Sequence, residues 1–158
     1  MRHADPRVAA AIIALVTAGV ALGGASVTDP DSAWYRELEK PPFNPPGAVF
    51  GPVWSIIYVL TACAAWFAWR DVRGSRRRAV LWLFAINAAL NLLWTVLFFG
   101  AKSPWAAALE IVPLLGTIVA LIWAVRPWNK AASNALIPYA AWVSFATVLS
   151  WTIAIQNS

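Results

Sequence analysis

Five long apolar segments alternate with short polar breaks along the chain. Each segment is long enough to cross a bilayer as a helix, which takes roughly 20 mostly apolar residues. The breaks read TDPDS, RDVRGSRRR, GAKSP and RPWNK. This pattern predicts an all-α integral membrane protein, a five-transmembrane-helix bundle in a single domain over 1–158. The predicted helices cover about 8–27, 49–69, 79–99, 105–125 and 131–155, and a structured, proline-rich loop covers about 28–48.

Composition supports the membrane class and argues against several kinds of chemistry. Hydrophobic residues make up 61% of the chain and charged residues 12%, whereas soluble domains average about half apolar and about a quarter charged. One histidine, His3, and one cysteine, Cys63, are present. The sequence has no metal-ligand cluster, phosphate loop or Ser/His/Asp set. We therefore expect no metal and no cofactor, and the sequence argues against hydrolysis, metal catalysis and ATP-driven pumping.

The basic residues are distributed unevenly between the breaks. Lys and Arg mark the cytoplasmic side of membrane proteins. With the N-terminus inside, nine of the twelve lie on the inner side, and Arg36, Lys40 and Lys102 lie outside. This asymmetry predicts an integral multi-pass protein with its N-terminus inside and its C-terminus outside. The run RGSRRR then indicates topology, with a lipid-headgroup or nucleic-acid site as the alternative. Among the partners we expect no nucleic acid.

The first apolar segment also resembles a secretory signal peptide, because arginines precede it and small residues follow it. Its apolar run is longer than the usual 7–15 residues of such peptides. We therefore predict that the first helix is retained and that the bundle has five helices.

Three of the predicted helices each present an aromatic face with a polar group, at the spacing of one helix face. The faces consist of Trp54, Tyr58 and Thr61; of Asn87, Asn91 and Trp94; and of Tyr139, Trp142 and Ala146. Such residues either pack and bond across helices or line a cavity. A cavity of this composition suits a flat, aromatic, amphipathic molecule, because Trp rings stack on it and a few hydrogen bonds orient it.

Small residues and one acidic residue are also placed inside the spans. Gly19 and Gly23 form a GxxxG pair, and Ala85 and Ala89 have the same spacing in the third helix. Such pairs allow close packing within the bundle or at a homodimer seam. Glu110 lies about one and a half turns inside the fourth helix, so it has either a structural partner or a role with a ligand or proton.

The loop between the first two helices contains the stretch WYRELEKPPFNPP. Asp31 or Ser32 can cap a short helix there, and the prolines that follow favour a stiff, extended path. We predict a lid over the outer mouth of the bundle that holds Tyr35 and Pro45 above the aromatic faces. The alternative is a rigid connector.

Four stretches, WYRELEKPPFNPP, GPVWSIIY, NAALNLLWTVLFFG and IPYAAWVSFATVLSW, strongly resemble the TspO/MBR family. Its members are the tryptophan-rich sensory proteins and the translocator proteins, or peripheral-type benzodiazepine receptors. The resemblance covers nearly the whole chain from Trp34 onward. It implies a five-helix membrane bundle, commonly dimeric, that binds porphyrins, sterols and benzodiazepine-type drugs. It also implies a part in porphyrin transport, sensing or light-dependent breakdown.

The resemblance carries ligand-binding roles onto individual residues, and the Tyr139 face adds one more. The expected ligand-binding residues are Tyr35, Pro45, Trp54, Tyr58, Asn87, Leu90, Asn91, Trp94, Tyr139, Trp142 and Ala146. In the family, the residues that match Trp54 and Trp142 are tied to porphyrin photodegradation, so these two are the candidate catalytic residues. The C-terminal stretch FATVLSWTIAIQNS departs from the animal sterol-recognition pattern, because it has neither Tyr nor a basic residue.

The expected function is therefore binding of a porphyrin of the protoporphyrin IX type in an aromatic pocket, in tetrapyrrole sensing, transport or regulation. A first alternative is an enzyme that degrades protoporphyrin with light and oxygen. A second is a transporter of sterols or other lipid-type molecules, which ranks lowest because the sequence has no inverted repeat or intramembrane charge pair. The expected partners are the porphyrin, or another flat hydrophobic small molecule, membrane lipid, and a second copy through helices 1 and 3.

Overall fold

The computed structural model describes residues 5–158, and within that range the chain forms seven α-helices and one π-helical turn. In chain order they are α1 (Pro6–Val27), α2 (Ala33–Glu37), α3 (Gly47–Asp71), α4 (Gly74–Thr95), the π-helical turn (Val96–Gly100), α5 (Pro104–Val125), α6 (Lys130–Ala135) and α7 (Ile137–Gln156). The described part of the chain contains five helical segments that are long and apolar enough to span a membrane. The predicted five-helix membrane fold is confirmed. Two residues named from the sequence lie outside the described residues. They are His3 and Arg2, which is one of the nine basic residues predicted on the inner side.

Each predicted span lies within an observed one, and the observed spans extend beyond it. The third span begins at Gly74, five residues before the predicted start, because the polar run RGSRRR is already helical. There the Arg77 Nε donates to the Val72 carbonyl oxygen at 2.8 Å. Hydropathy marks the part of a helix that meets lipid, whereas the helix itself continues into the polar boundary.

Two prolines alter the helices differently. The sequence predicts that Pro52 begins a helix, because proline is tolerated in a first helical turn. This prediction is wrong, because α3 begins at Gly47 and Pro52 lies inside it. Pro138 does interrupt the fifth span, which divides at Leu136 into α6 and α7. Proline lacks an N–H and its ring clashes with the carbonyl one turn earlier, so the chain stops and restarts there. The Leu136 N–H donates instead to the Ser133 carbonyl oxygen at 3.2 Å.

Helix α5 is the most enclosed helix of the bundle, and α1 is the most peripheral. Helix α5 packs against α4 on one side and α7 on the other, whereas α1 packs against α3 and α4. The buried positions of α5 recur along its whole length, and they include Ala107, Ile111, Leu114, Ile118, Leu121 and Val125. In α1, by contrast, Ala9 and Gly24 are the buried residues. The bundle is therefore built around α5, and α1 packs on the outside of the bundle against α3 and α4.

Candidate functional site

The loop between the first two spans folds back on itself. The Ser32 hydroxyl accepts a hydrogen bond from the Tyr35 N–H at 3.3 Å, so Ser32 is the predicted cap of the short helix α2. The Lys40 ammonium donates to the carbonyl oxygens of Tyr35, Arg36 and Leu38, and it lies 4.7 Å from the centre of the Tyr35 ring. One lysine thus closes the end of α2, and the loop (residues 28–46, the lid) has a defined shape.

A second contact ties the lid to the far end of the chain. The Asn157 Oδ1 accepts from the Glu39 N–H at 2.9 Å, and the Asn157 Nδ2 donates to the Glu39 carbonyl oxygen at 2.9 Å. The same Nδ2 donates to the Ile153 carbonyl oxygen at 2.8 Å, which orients the amide at the end of α7. We call this reciprocal pair the latch. Sequence reasoning missed Asn157, because one polar residue after an apolar helix carries no signal of a partner 118 residues away.

Aromatic rings fill the contact between the lid and the bundle. The Trp34 ring lies edge-on to Phe98, with centroids 5.6 Å apart, and the Tyr35 ring lies 5.6 Å from Phe99. Phe98 is buried and stacks on Trp94 at 5.2 Å. Two adjacent phenylalanines both reach the lid because the π-helical turn adds a residue to the turn and changes the direction of the side chains.

Beneath the lid lies a cavity of about 390 Å³, walled by α1, α3, α4, α5 and α7, which we call the lid cavity. Seven of the eleven expected ligand-binding residues lie on its wall: Tyr35, Trp54, Tyr58, Asn91, Trp94, Trp142 and Ala146. The three aromatic faces predicted from helical spacing therefore meet around one space. The other four are not on this wall. Pro45 is in the lid, Leu90 packs against the core, and Asn87 and Tyr139 line a second cavity.

The wall of the lid cavity also includes residues that the sequence analysis did not name. Phe50 lies one turn before Trp54 in α3, and its ring is 5.8 Å from Trp142. Ser150 lies one turn beyond Ala146 in α7 and is buried. Phe50 extends the predicted Trp54 face of α3 by one turn toward its start, and Ser150 extends the predicted Ala146 face of α7 by one turn toward its end. The same helical spacing could therefore have identified both residues from the sequence.

A layer of hydrogen-bonded side chains forms the floor of the lid cavity. The Tyr58 hydroxyl donates to the Asn91 Oδ1 at 3.2 Å, and the Asn91 Nδ2 donates to the Tyr139 hydroxyl at 3.1 Å. These residues come from α3, α4 and α7, and we call them the polar layer. Next to it, the Asn87 Nδ2 donates to the Thr117 hydroxyl at 2.9 Å. The two open interpretations of Asn91 both hold, because it bonds across helices and also faces the cavity.

The second cavity, the side cavity, has a volume of about 320 Å³ and lies behind α1. Its walls are mainly apolar side chains of α1, α3 and α4, with Tyr139 of α7 at one side. Tyr58 and Asn91 line both cavities, so the polar layer is the partition between them. The Trp54 ring lies against this partition, 5.5 Å from Tyr58 and 6.1 Å from Tyr139.

Glu110 is buried in α5, with 8% of its surface exposed, and it lies on the wall of neither cavity. Among residues 5–158, neither of its carboxylate oxygens has a hydrogen-bond partner. Of the two roles that the sequence left open for Glu110, the described residues therefore supply no hydrogen-bond partner for the structural one. The same described range contains no cluster of three side chains suited to hold a metal ion.

The sequence profile of the TspO/MBR family matches residues 10–156. The chain is 39% identical over 141 residues to the tryptophan-rich protein TspO of Chlorobaculum tepidum, which covers 87% of this chain and 89% of that protein. It is 32% identical over 155 residues to the tryptophan-rich protein TspO of Archaeoglobus fulgidus, and the match covers 96% of this chain and 97% of that protein. It is 32% identical over 126 residues to the human translocator protein, and the match covers 78% of this chain and 75% of that protein.

Proposed function

The chain belongs to the TspO/MBR family, and from this membership we propose that it binds porphyrins of the protoporphyrin IX type in the lid cavity. The observation that carries the proposal is one cavity with Trp54 and Trp142 on its wall and Tyr35 in its lid. Its volume of about 390 Å³ falls in the range of small-molecule pockets, roughly 300–1,000 Å³. The role in the cell is sensing, transport or regulation of tetrapyrroles.

The chemistry of the wall supports a flat aromatic ligand. Trp54 and Trp142 offer faces on which a macrocycle stacks, and aromatic pairs of this kind contribute about 0.5–1.5 kcal/mol beyond area burial. Tyr58 and Asn91 at the floor supply a hydroxyl and an amide to its polar edge. The lid then excludes water from the bound ring.

Titration of the protein with protoporphyrin in the dark tests this proposal. The full chain in lipid nanodiscs should shift the porphyrin absorbance with saturation near one porphyrin per chain. Its Trp fluorescence should be quenched in parallel, because eleven Trp residues include three on the cavity wall. Nanodiscs without protein are the control. Absorbance changes that do not saturate and equal those of empty nanodiscs would show partition into lipid and would refute the proposal.

A second candidate function is light- and oxygen-dependent breakdown of the bound porphyrin, and the two wall tryptophans favour it. A photoexcited porphyrin accepts an electron from a Trp ring in contact with it, which leaves a Trp radical cation and a reduced porphyrin. Molecular oxygen takes the extra electron from the reduced porphyrin and becomes superoxide. The Trp radical cation regains its electron from the porphyrin, and superoxide adds to the porphyrin radical cation, so that one oxygen molecule is incorporated and the Trp is restored. Trp54 and Trp142 would be the catalytic residues.

Trp142→Phe separates binding from breakdown. Phe keeps much of the stacking surface but is far harder to oxidise, so binding should weaken by about 0.5–1.5 kcal/mol. The rate of light-dependent loss of the porphyrin band should fall much further than the weaker binding accounts for. The measurement is the absorbance of the complex in dark and light at saturating protein. If Trp142→Phe and Trp54→Phe both degrade protoporphyrin like the parent, the redox role is wrong and the protein is a binding module.

We propose the orientation with the N-terminus inside and the lid outside. Its support is the separation of charge, because Arg70, Arg73, Arg126 and Lys130 lie at the end of the bundle opposite the lid. A phosphatase reporter fused after Ser158 should be active, and a fluorescent protein that folds only in the cytoplasm should be dark at that position. The reverse result would place the lid inside.

We also propose a homodimer through the first and third spans, α1 and α4. Gly19 is the sharper test position, because a Cβ added there meets no described atom within 4 Å, whereas one added at Gly23 lies 3.3 Å from the Leu92 side chain of the same chain. Gly19→Leu should therefore shift dimer to monomer without disturbing the fold, as measured by light scattering of the detergent-solubilised protein. An unchanged dimer in both Gly19→Leu and Ala89→Leu would move the interface elsewhere.

A further inference from the structure

Helix α1 is buried most closely near its two ends and is less buried between them, where Ile13 still packs against the core. Its buried residues, Ala9 and Gly24, are fifteen positions apart, which is about 22 Å at ~1.5 Å per residue. Between them, Ile12 and Val16 line the side cavity and are also about half exposed, at 56% and 48%. The side cavity therefore opens laterally within a membrane span.

The wall of the side cavity is mostly apolar, and its polar residues are Thr17, Thr61, Asn87 and the three residues of the polar layer. Tyr58, Asn91 and Tyr139 are hydrogen-bonded to one another, and Asn87 is hydrogen-bonded to Thr117. The remaining wall, from Ile13 on α1 to Phe84 on α4, offers mainly hydrocarbon. Such a space matches a flexible hydrocarbon chain better than a molecule that needs hydrogen bonds along its length.

Arginines stand at the ends of the three helices that wall the side cavity. Arg7 is two residues before Ala9, and Arg77 is one turn before Leu81; both Ala9 and Leu81 are wall residues. The Arg77 guanidinium lies 5.9 Å from the centre of the Trp69 ring, which is itself on the wall.

Further basic residues stand at the same rim, with acidic residues beside some of them. Arg73, Arg76 and Arg78 belong to this end of α4 and the turn before it. Asp5 lies at the start of α1, and Asp71 pairs with Arg70 at 2.7 Å, which leaves the rim net positive.

We propose that the side cavity holds one acyl chain of an anionic phospholipid, whose phosphate lies against the arginine rim. The charge of the rim selects the headgroup, because basic residues at a membrane surface attract anionic lipids. The apolar wall takes the chain, and the polar layer sets how deeply it reaches. A zwitterionic phospholipid would fill the same space but gain less from the rim.

Native mass spectrometry of the full chain tests the proposal. The protein is equilibrated in detergent with equal amounts of phosphatidylglycerol and phosphatidylcholine of identical chains. One phosphatidylglycerol per chain should remain bound, at least about tenfold in excess over phosphatidylcholine. Equal retention of the two lipids would overturn the proposal.

Variants locate the two halves of the site. Ala88→Phe or Thr17→Phe fills the side cavity from opposite walls and should lower phosphatidylglycerol retention at least about tenfold. Ala120→Phe, on an exposed face of α5, is the matched control and should retain phosphatidylglycerol like the parent.

Arg77→Gln should remove the preference between the lipids, and Arg77→Lys should keep that preference. Unchanged retention in both cavity-filling variants, or an unchanged preference in Arg77→Gln, contradicts the proposed site.

Discussion

Ala146→Phe should weaken protoporphyrin binding by about 1–3 kcal/mol, or roughly 5- to 150-fold, because it fills the space that the ligand needs. Ala146 lies on the wall of the lid cavity, one turn from both Trp142 and Ser150. A phenyl ring at this half-buried position adds volume to the cavity wall. The helix content should therefore be retained, and the loss should appear in the dissociation constant of the absorbance titration.

The matched control for this variant is Ala141→Phe on the same helix. Ala141 is exposed and lies on neither cavity wall, so the same change in side-chain volume meets lipid there. Its affinity for protoporphyrin should equal that of the parent. If Ala146→Phe also binds like the parent, the ligand occupies a place other than the lid cavity.

Asn157→Ala should release the lid and accelerate loss of the ligand. The variant removes both latch hydrogen bonds to the backbone of Glu39. Each hydrogen bond contributes about 0.5–1.5 kcal/mol, so the free energy that favours the closed lid falls by about 1–3 kcal/mol. Where lid opening precedes release, this loss makes dissociation roughly 5- to 150-fold faster. Stopped-flow chase of bound protoporphyrin with excess apo-protein measures this rate.

Two variants test the latch interpretation. Asn157→Asp keeps the oxygen that accepts from the Glu39 N–H and loses the donor to its carbonyl, so its dissociation rate should lie between those of the parent and Asn157→Ala. Asn134→Ala, exposed in α6 at the other end of the bundle, should release ligand at the parent rate. Equal rates in all four proteins would mean that the lid does not control release.

The spans could be predicted from the sequence because each is a local pattern. An apolar run of sufficient length forms a helix in lipid, whatever the rest of the chain does, since its backbone groups must be bonded internally. The cap at Ser32 and the stop at Pro138 are equally local, as each depends on the chemistry of one turn. The π-helical turn at Val96–Gly100 was not predicted, because its residues have the same apolar composition as the helix before it.

The sequence predicted which helix faces line the site, but not the level along the membrane normal at which each residue lies. Helical spacing identified the face on which Asn87, Asn91 and Trp94 lie, and all three do face the interior. It does not give the level at which each residue meets the neighbouring helices. Asn87 therefore lies beside the side cavity, whereas Trp94 lies one and a half to two turns away on the wall of the lid cavity. That difference depends on how the helices are offset along the membrane normal, which packing between distant segments decides.

The latch also has a consequence for how the protein is made. A ribosome adds about 5–20 residues per second, so Asn157 emerges roughly 6–24 s after Glu39, with which it pairs. During that interval the lid has its own turn and its lysine but lacks its anchor, while the second, third and fourth spans are synthesised. A nascent chain halted within α7 would thus carry most of the aromatic wall yet leave it uncovered. Closure of the lid is a late step of biogenesis, set by the order of synthesis.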